Sequence, residues 1–152
     1  MNRTLRFLSS VTALTIFFVL SSMSGIAQPR HPAYLRALSD LRLARAHLQR
    51  PNQGILRAEE REAIHEIDAA IGEIKKAAID DGKDLSDHAP VDVGLDWGGR
   101  LRHAYELTGR ARNDIAREED NLFAQGLQQR ALMHIDRSRA RIADAIHIVE
   151  AR

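Results

Sequence analysis

Apolar residues recur along the chain at three- and four-residue steps, the rhythm of helices that bury one face. The clearest stripe is Ala63, Ile64, Ile67, Ile71, Ile74 and Ala77, and a second is Ala131, Leu132, Ile135, Ile142 and Ala145. At an offset of 68 residues, Ala63, Ile67, Asp68, Ile74 and Ala77 meet identical residues at Ala131, Ile135, Asp136, Ile142 and Ala145. An offset of 67 sets Ala37, Ala44 and Arg45 on Ala104, Ala111 and Arg112. The pattern predicts a helical hairpin written twice.

The stripes predict four helices. The first spans about 33–49, with Tyr34, Ala37, Leu38, Leu41 and Leu48 inward and helix-breaking Pro51-Asn52-Gln53-Gly54 behind it. The second spans about 57–80, opening on Glu59, Glu60 and Glu62 and closing near Lys75 and Lys76, as the helix dipole favours. Its interior Gly72 suggests a close-packed neighbour. A third helix runs from about 100 to 118 behind Gly98-Gly99, with Leu101, Ala104, Leu107, Ala111 and Ile115 inward, and a fourth covers about 123–149.

Short turns within each hairpin and a long link between them predict an all-α, antiparallel four-helix bundle. Hairpin one is 33–80, the crossover 81–99 and hairpin two 100–149. A helical solenoid is the competing architecture, but two repeats are too few to bury a continuous core. Arg139 interrupts the second stripe where Ile71 continues the first. A half-buried arginine paired with an acid on a neighbouring helix is the expectation there.

Ahead of the bundle, Arg3 and Arg6 precede a mostly apolar run from Phe7 to Leu20 and the small residues Gly25 and Ala27. This is the layout of a secretory signal peptide, expected over 1–27, and it leaves 28–152 as the mature domain. The apolar run is shorter than the ~20 residues a spanning helix needs, so no membrane insertion is expected after cleavage. The expected location is the periplasm or the exterior. Losing Arg3 and Arg6 and no acid takes the formal charge from +1 to −1, which argues against a nucleic-acid partner. The sequence holds no cysteine, so disulfides, thiolate metal sites and thiol catalysis are all excluded.

The stretches His31-Pro32-Ala33-Tyr34-Leu35-Arg36-Ala37-Leu38-Ser39-Asp40-Leu41-Arg42-Leu43-Ala44-Arg45 and Asp80-Asp81-Gly82-Lys83-Asp84-Leu85 resemble a family of small exported bacterial helical-bundle proteins. Most of 31–146 shares the likeness, including Glu118-Glu119-Asp120-Asn121 and Gln128-Gln129-Arg130-Ala131-Leu132. The resemblance implies export and a bundle and carries over no active site.

Candidate chemistry is sparse. The histidines show neither i, i+3 nor i, i+4 pairs, the spacing of helical metal-ligand pairs. His47 and His65 fall outside the stripes, whereas His103 and His134 flank them. With Glu106, those two flanking histidines form the candidate metal set, a low-affinity Cu²⁺ or Zn²⁺ site between antiparallel helices. Haem is disfavoured because Met133, the one methionine beyond the leader, lies opposite Ile135. Calcium on Asp80, Asp81, Asp84, Asp87 and Asp92 lacks the EF-hand order of ligands.

No serine elbow or phosphate loop is present, so no enzyme and no cofactor are expected. Beyond the leader, 17 arginines face three lysines, and Arg137, Arg139 and Arg141 offer a guanidinium face for an anion or a partner. The expected role is therefore binding to an envelope protein partner, with metal binding as the alternative. Homodimerisation through the same helices is a further expectation.

Overall fold

A computed structural model of the chain describes residues 32–52, 57–77, 90–91, 94–117 and 122–151. Four helices carry these residues: α1 (Pro32–Leu48), α2 (Ala58–Ala77), α3 (Trp97–Arg117) and α4 (Leu122–Glu150). The expected leader over 1–27 and most of the crossover, with the calcium candidates Asp80, Asp81, Asp84, Asp87 and Asp92, lie outside the described residues.

Local chemistry sets the helix starts. Pro32 occupies the first turn of α1, where its missing N–H costs nothing. The Arg57 amide donates to Glu60 Oε2 at 2.9 Å, which is half of a capping box at the head of α2. The Gly99 amide donates to Asp96 Oδ1 at 2.6 Å, so α3 begins at Trp97 rather than at the expected Arg100. Gly98 and Gly99 form its first turn, and a Cβ on Gly99 would stand only 2.7 Å from that same Asp96 oxygen.

The helices form a ring in the order α1, α2, α4, α3. The α2–α4 and α1–α3 contacts are the most extensive, and the diagonal pair α2–α3 meets through long side chains, Trp97 reaching Glu60. Ion pairs fix the directions. Arg36 with Asp114 and Asp40 with Arg110 run α1 against α3, while Arg112 with Asp136 and Arg102 with Glu150 run α3 against α4. Every adjacent pair is antiparallel. Consequently α2 ends beside the start of α1, α3 starts beside the end of α1, and the connection between them spans the long axis. This is the four-helix bundle with one long crossover.

The inward stripes are the core. Leu38, Leu41, Ile67, Ile74, Leu101, Leu107, Ile115, Ile135 and Ile142 are buried, with Ala63, Ala104, Ala111 and Ala131 packed between them. Met133 stays on the outer face. Two expectations are corrected. His47 is buried, because α1 packs on both α2 and α3 and its apolar face is wider than the stripe alone implies. Gly72 brings no neighbour close, since a Cβ there would meet nothing within 4 Å.

The 68-residue offset reappears in the α2–α4 contacts. Glu62 pairs with Arg141 at 2.8 Å, Glu66 with His134 at 2.6 Å and Glu73 with Arg130 at 2.9 Å. The offset carries Glu62 onto Arg130 and Glu73 onto Arg141, exchanging the outer pairs. It carries Glu66 onto His134, so the middle pair maps onto itself.

Candidate functional site

Acids on α2 face bases on α4 because each helix repeats one charge type at three- and four-residue steps, which keeps it on one side. Glu62 and Glu66 stand on α2, and Arg130, His134, Arg137 and Arg141 stand on α4. Between them lies a recess of about 580 Å³, lined by Arg61, Glu62, His65, Glu66, Arg137 and Arg141 and closed by Ala140. That volume is within the range of small-ligand sites, ~300–1,000 Å³, but the lining is charged rather than apolar.

The ladder of polar side-chain contacts pre-positions this lining. Glu66 and His134 are both about one-fifth exposed, and Arg141 bridges to Asp144 at 3.3 Å as well as to Glu62. Lower on the same seam, burial opposes ionisation of Glu73. Hydrogen bonds from Arg130 and Lys76 outweigh that burial and hold its carboxyl below the ordinary value. The recess thus presents fixed hydrogen-bond donors beside fixed acceptors, with three guanidinium groups against two carboxylates.

A second polar cluster closes the end of the bundle near the start of α3. Buried Glu60 accepts from Trp97 Nε1 at 2.8 Å and from the Arg57 amide, while the Arg57 guanidinium sits 4.5 Å from the Trp97 ring centroid. Arg100 donates to the carbonyls of His47 and Arg50, capping the last turn of α1. Burial and the neighbouring Arg50 push the Arg100 pKa below its ordinary value, and Glu60 and Asp96 oppose that shift. These groups satisfy one another, so the cluster is a structural clasp.

The residues proposed from sequence as metal ligands are placed apart. His103 stacks on His47 of α1, with centroids 4.8 Å apart and planes 26° from parallel. His134 turns the other way, to Glu66 of α2. The antiparallel register of α3 and α4 sets Arg112 against Asp136 and Arg102 against Glu150, so His103 and His134 stand on different levels. That separation is about 11–15 residues, or ~16–22 Å of helix rise. Glu106 is exposed on α3. Among the described residues, no three His, Cys, Asp or Glu side chains converge as a metal site.

Arg139 is half-buried, as its place in the stripe implies, but its partner is not an acid. Its Nη1 donates to the Tyr105 carbonyl at 2.7 Å and its guanidinium lies 3.9 Å from the Tyr105 ring centroid. Gly109 makes this possible, because a Cβ there would stand 2.4 Å from Nη1. Sequence reasoning passed over Gly109; an antiparallel register facing Arg139 is the signal that marks it.

Compared with family models, with curated proteins and with solved structures, the chain matches none. No described helix is long and apolar enough to cross a membrane.

Proposed function

We propose that the chain is an exported, non-catalytic binding protein of the cell envelope, that its two hairpins derive from one duplicated unit, and that it meets a protein partner at the α2–α4 recess. The observation that carries the reading is the recess itself. Its charged lining is held in place by the ladder at Glu62, Glu66, Arg141 and His134 and remains open between two helices. Fixed donors beside fixed acceptors suit a partner segment that offers both, such as peptide backbone with mixed charges. Charge complementarity of this kind contributes specificity more than affinity.

Export is supported by the basic start, the apolar run and the small residues before Gln28. Duplication is supported by the matched ion pairs: Arg45–Asp68 and Arg112–Asp136 are both 2.6 Å and lie at equivalent positions of the two hairpins.

A photo-crosslinking residue at Ala140, inside the recess, tests the binding reading, with Met133 on the outer face as control. A discrete protein adduct from position 140 only, on chains whose first residue is Gln28, is the expected result. Equal adducts from both positions would remove the recess from the account, and an uncleaved leader would remove export.

A further inference from the structure

One rung is missing from the α2–α4 ladder, and it lies inside the recess. Arg137 stands on α4 between His134 and Arg141, one turn from each, and lines the recess with Glu62, His65 and Glu66 of α2. The pairs Glu62–Arg141 and Glu73–Arg130 set a register in which Glu66 is level with Arg137. Glu66 meets His134 instead, at 2.6 Å, and Glu62 is held by Arg141 at 2.8 Å. Arg137 is exposed and makes no hydrogen bond, ion pair or ring contact among the described residues. Arg61, the remaining arginine of the lining, already has an interaction of its own.

The recess therefore carries a guanidinium to which the bundle supplies no acid. In water this costs nothing. A segment lying in the recess strips water from the guanidinium, and a charge desolvated without a partner is expensive. A carboxylate on that segment offsets the loss through two parallel N–H···O bonds. An uncharged segment cannot, so Arg137 selects among partners as well as holding one. Glu62 and Glu66 beside it disfavour a dianion, whereas a single carboxylate matches a single guanidinium.

We propose that the protein partner seats an aspartate or glutamate side chain on Arg137. The inference rests on the α2–α4 recess being the partner site and adds the chemistry of the group that occupies it.

The test titrates the full chain, purified as the cell processes it, into a fluorescent peptide of alternating glutamate and glycine with both ends blocked. Saturable binding is expected, with none to the matching glutamine–glycine peptide. Arg137→Gln should weaken binding about tenfold, the equivalent of one charged contact. Arg117→Gln removes the same charge from the exposed end of α3 and should leave binding unchanged. Arg137 holds nothing in the fold, so its variant reports recognition rather than stability. In cells, the adduct formed from a photo-crosslinker at Ala140 should fall in the same variant. An adduct that persists at full yield in Arg137→Gln keeps the recess as the partner site and overturns the carboxylate assignment. No adduct from the parent removes the recess, and this inference with it. Equal binding of the two peptides, or binding only of a peptide with a free C-terminal carboxylate, also overturns the proposal.

Discussion

In the α1–α2 seam Arg45 meets Asp68 at 2.6 Å, and in the α3–α4 seam Arg112 meets Asp136 at 2.6 Å. Three residues beyond each acid the seams part. Ile71 closes the floor of the first and leaves Arg42 in an open cleft; Arg139 fills the second, crossing Gly109 to reach Tyr105. One exchange between facing positions, Arg and Ile for Gly and Arg, turns an open cleft into a sealed contact. Equivalent backbones therefore do not imply equivalent surfaces. Which seam stays open follows from which helix supplies the guanidinium.

The largest test of the comparison lies in the core, where the halves should behave alike. Ile67 and Ile135 occupy matched positions and are both fully buried. Replacing either with Ala should cost about 2–5 kcal/mol in denaturant unfolding, through lost burial and the cavity left behind. The two costs should agree within ~1 kcal/mol, and a wide gap would show that the halves pack differently.

Glu60 and Gln128 are also matched by the offset, yet they do opposite work. Glu60 is buried and accepts from Trp97 and Arg57, whereas Gln128 donates to the Ile115 carbonyl at 2.8 Å. Glu60→Ala leaves two donors without their carboxylate and should cost about 2–3 kcal/mol, against ~1 kcal/mol for Gln128→Ala. Equal costs would remove the clasp from the account.

A smaller effect separates the outer pairs of the α2–α4 ladder. Glu73 has its folded-state pKa depressed by Arg130 and Lys76, so its ionised form stabilises the fold above the ordinary carboxylate value of 4.5. That contribution is lost as pH falls through the lowered folded value. Acid titration of stability should therefore be shallower in Glu73→Gln than in the parent, with the difference confined to pH below about 4.5. An unchanged acid limb would mean that the pair contributes nothing.

Much of this architecture is legible in the spacing of apolar residues. The stripes of α2 and α3 fall where the core forms, because 3.6-residue periodicity and burial are the same fact read two ways. The antiparallel α3–α4 pairing follows from the short turn between them. Register is not written in either helix alone. His103 and His134 flank their stripes as expected, yet one faces α1 and the other α2, and a wheel cannot assign a flank to a neighbour. His47 shows the same limit, since its burial depends on α3 packing beside α1. Long-range polar contacts are equally silent, because nothing near Glu60 announces Trp97, 37 residues away.

A double-mutant cycle on Gly109 and Arg139 tests the contrast between the seams most directly. Gly109→Arg alone sets a second guanidinium where Arg139 lies and should cost about 2 kcal/mol. Arg139→Ile alone gives up the carbonyl bond and the ring contact, about 1 kcal/mol. Together they rebuild the Arg42–Ile71 arrangement in the second hairpin, so the pair should cost at least ~1 kcal/mol less than the two singles combined. Costs that add to within ~0.5 kcal/mol would contradict the claim that Arg139 seals this seam across Gly109.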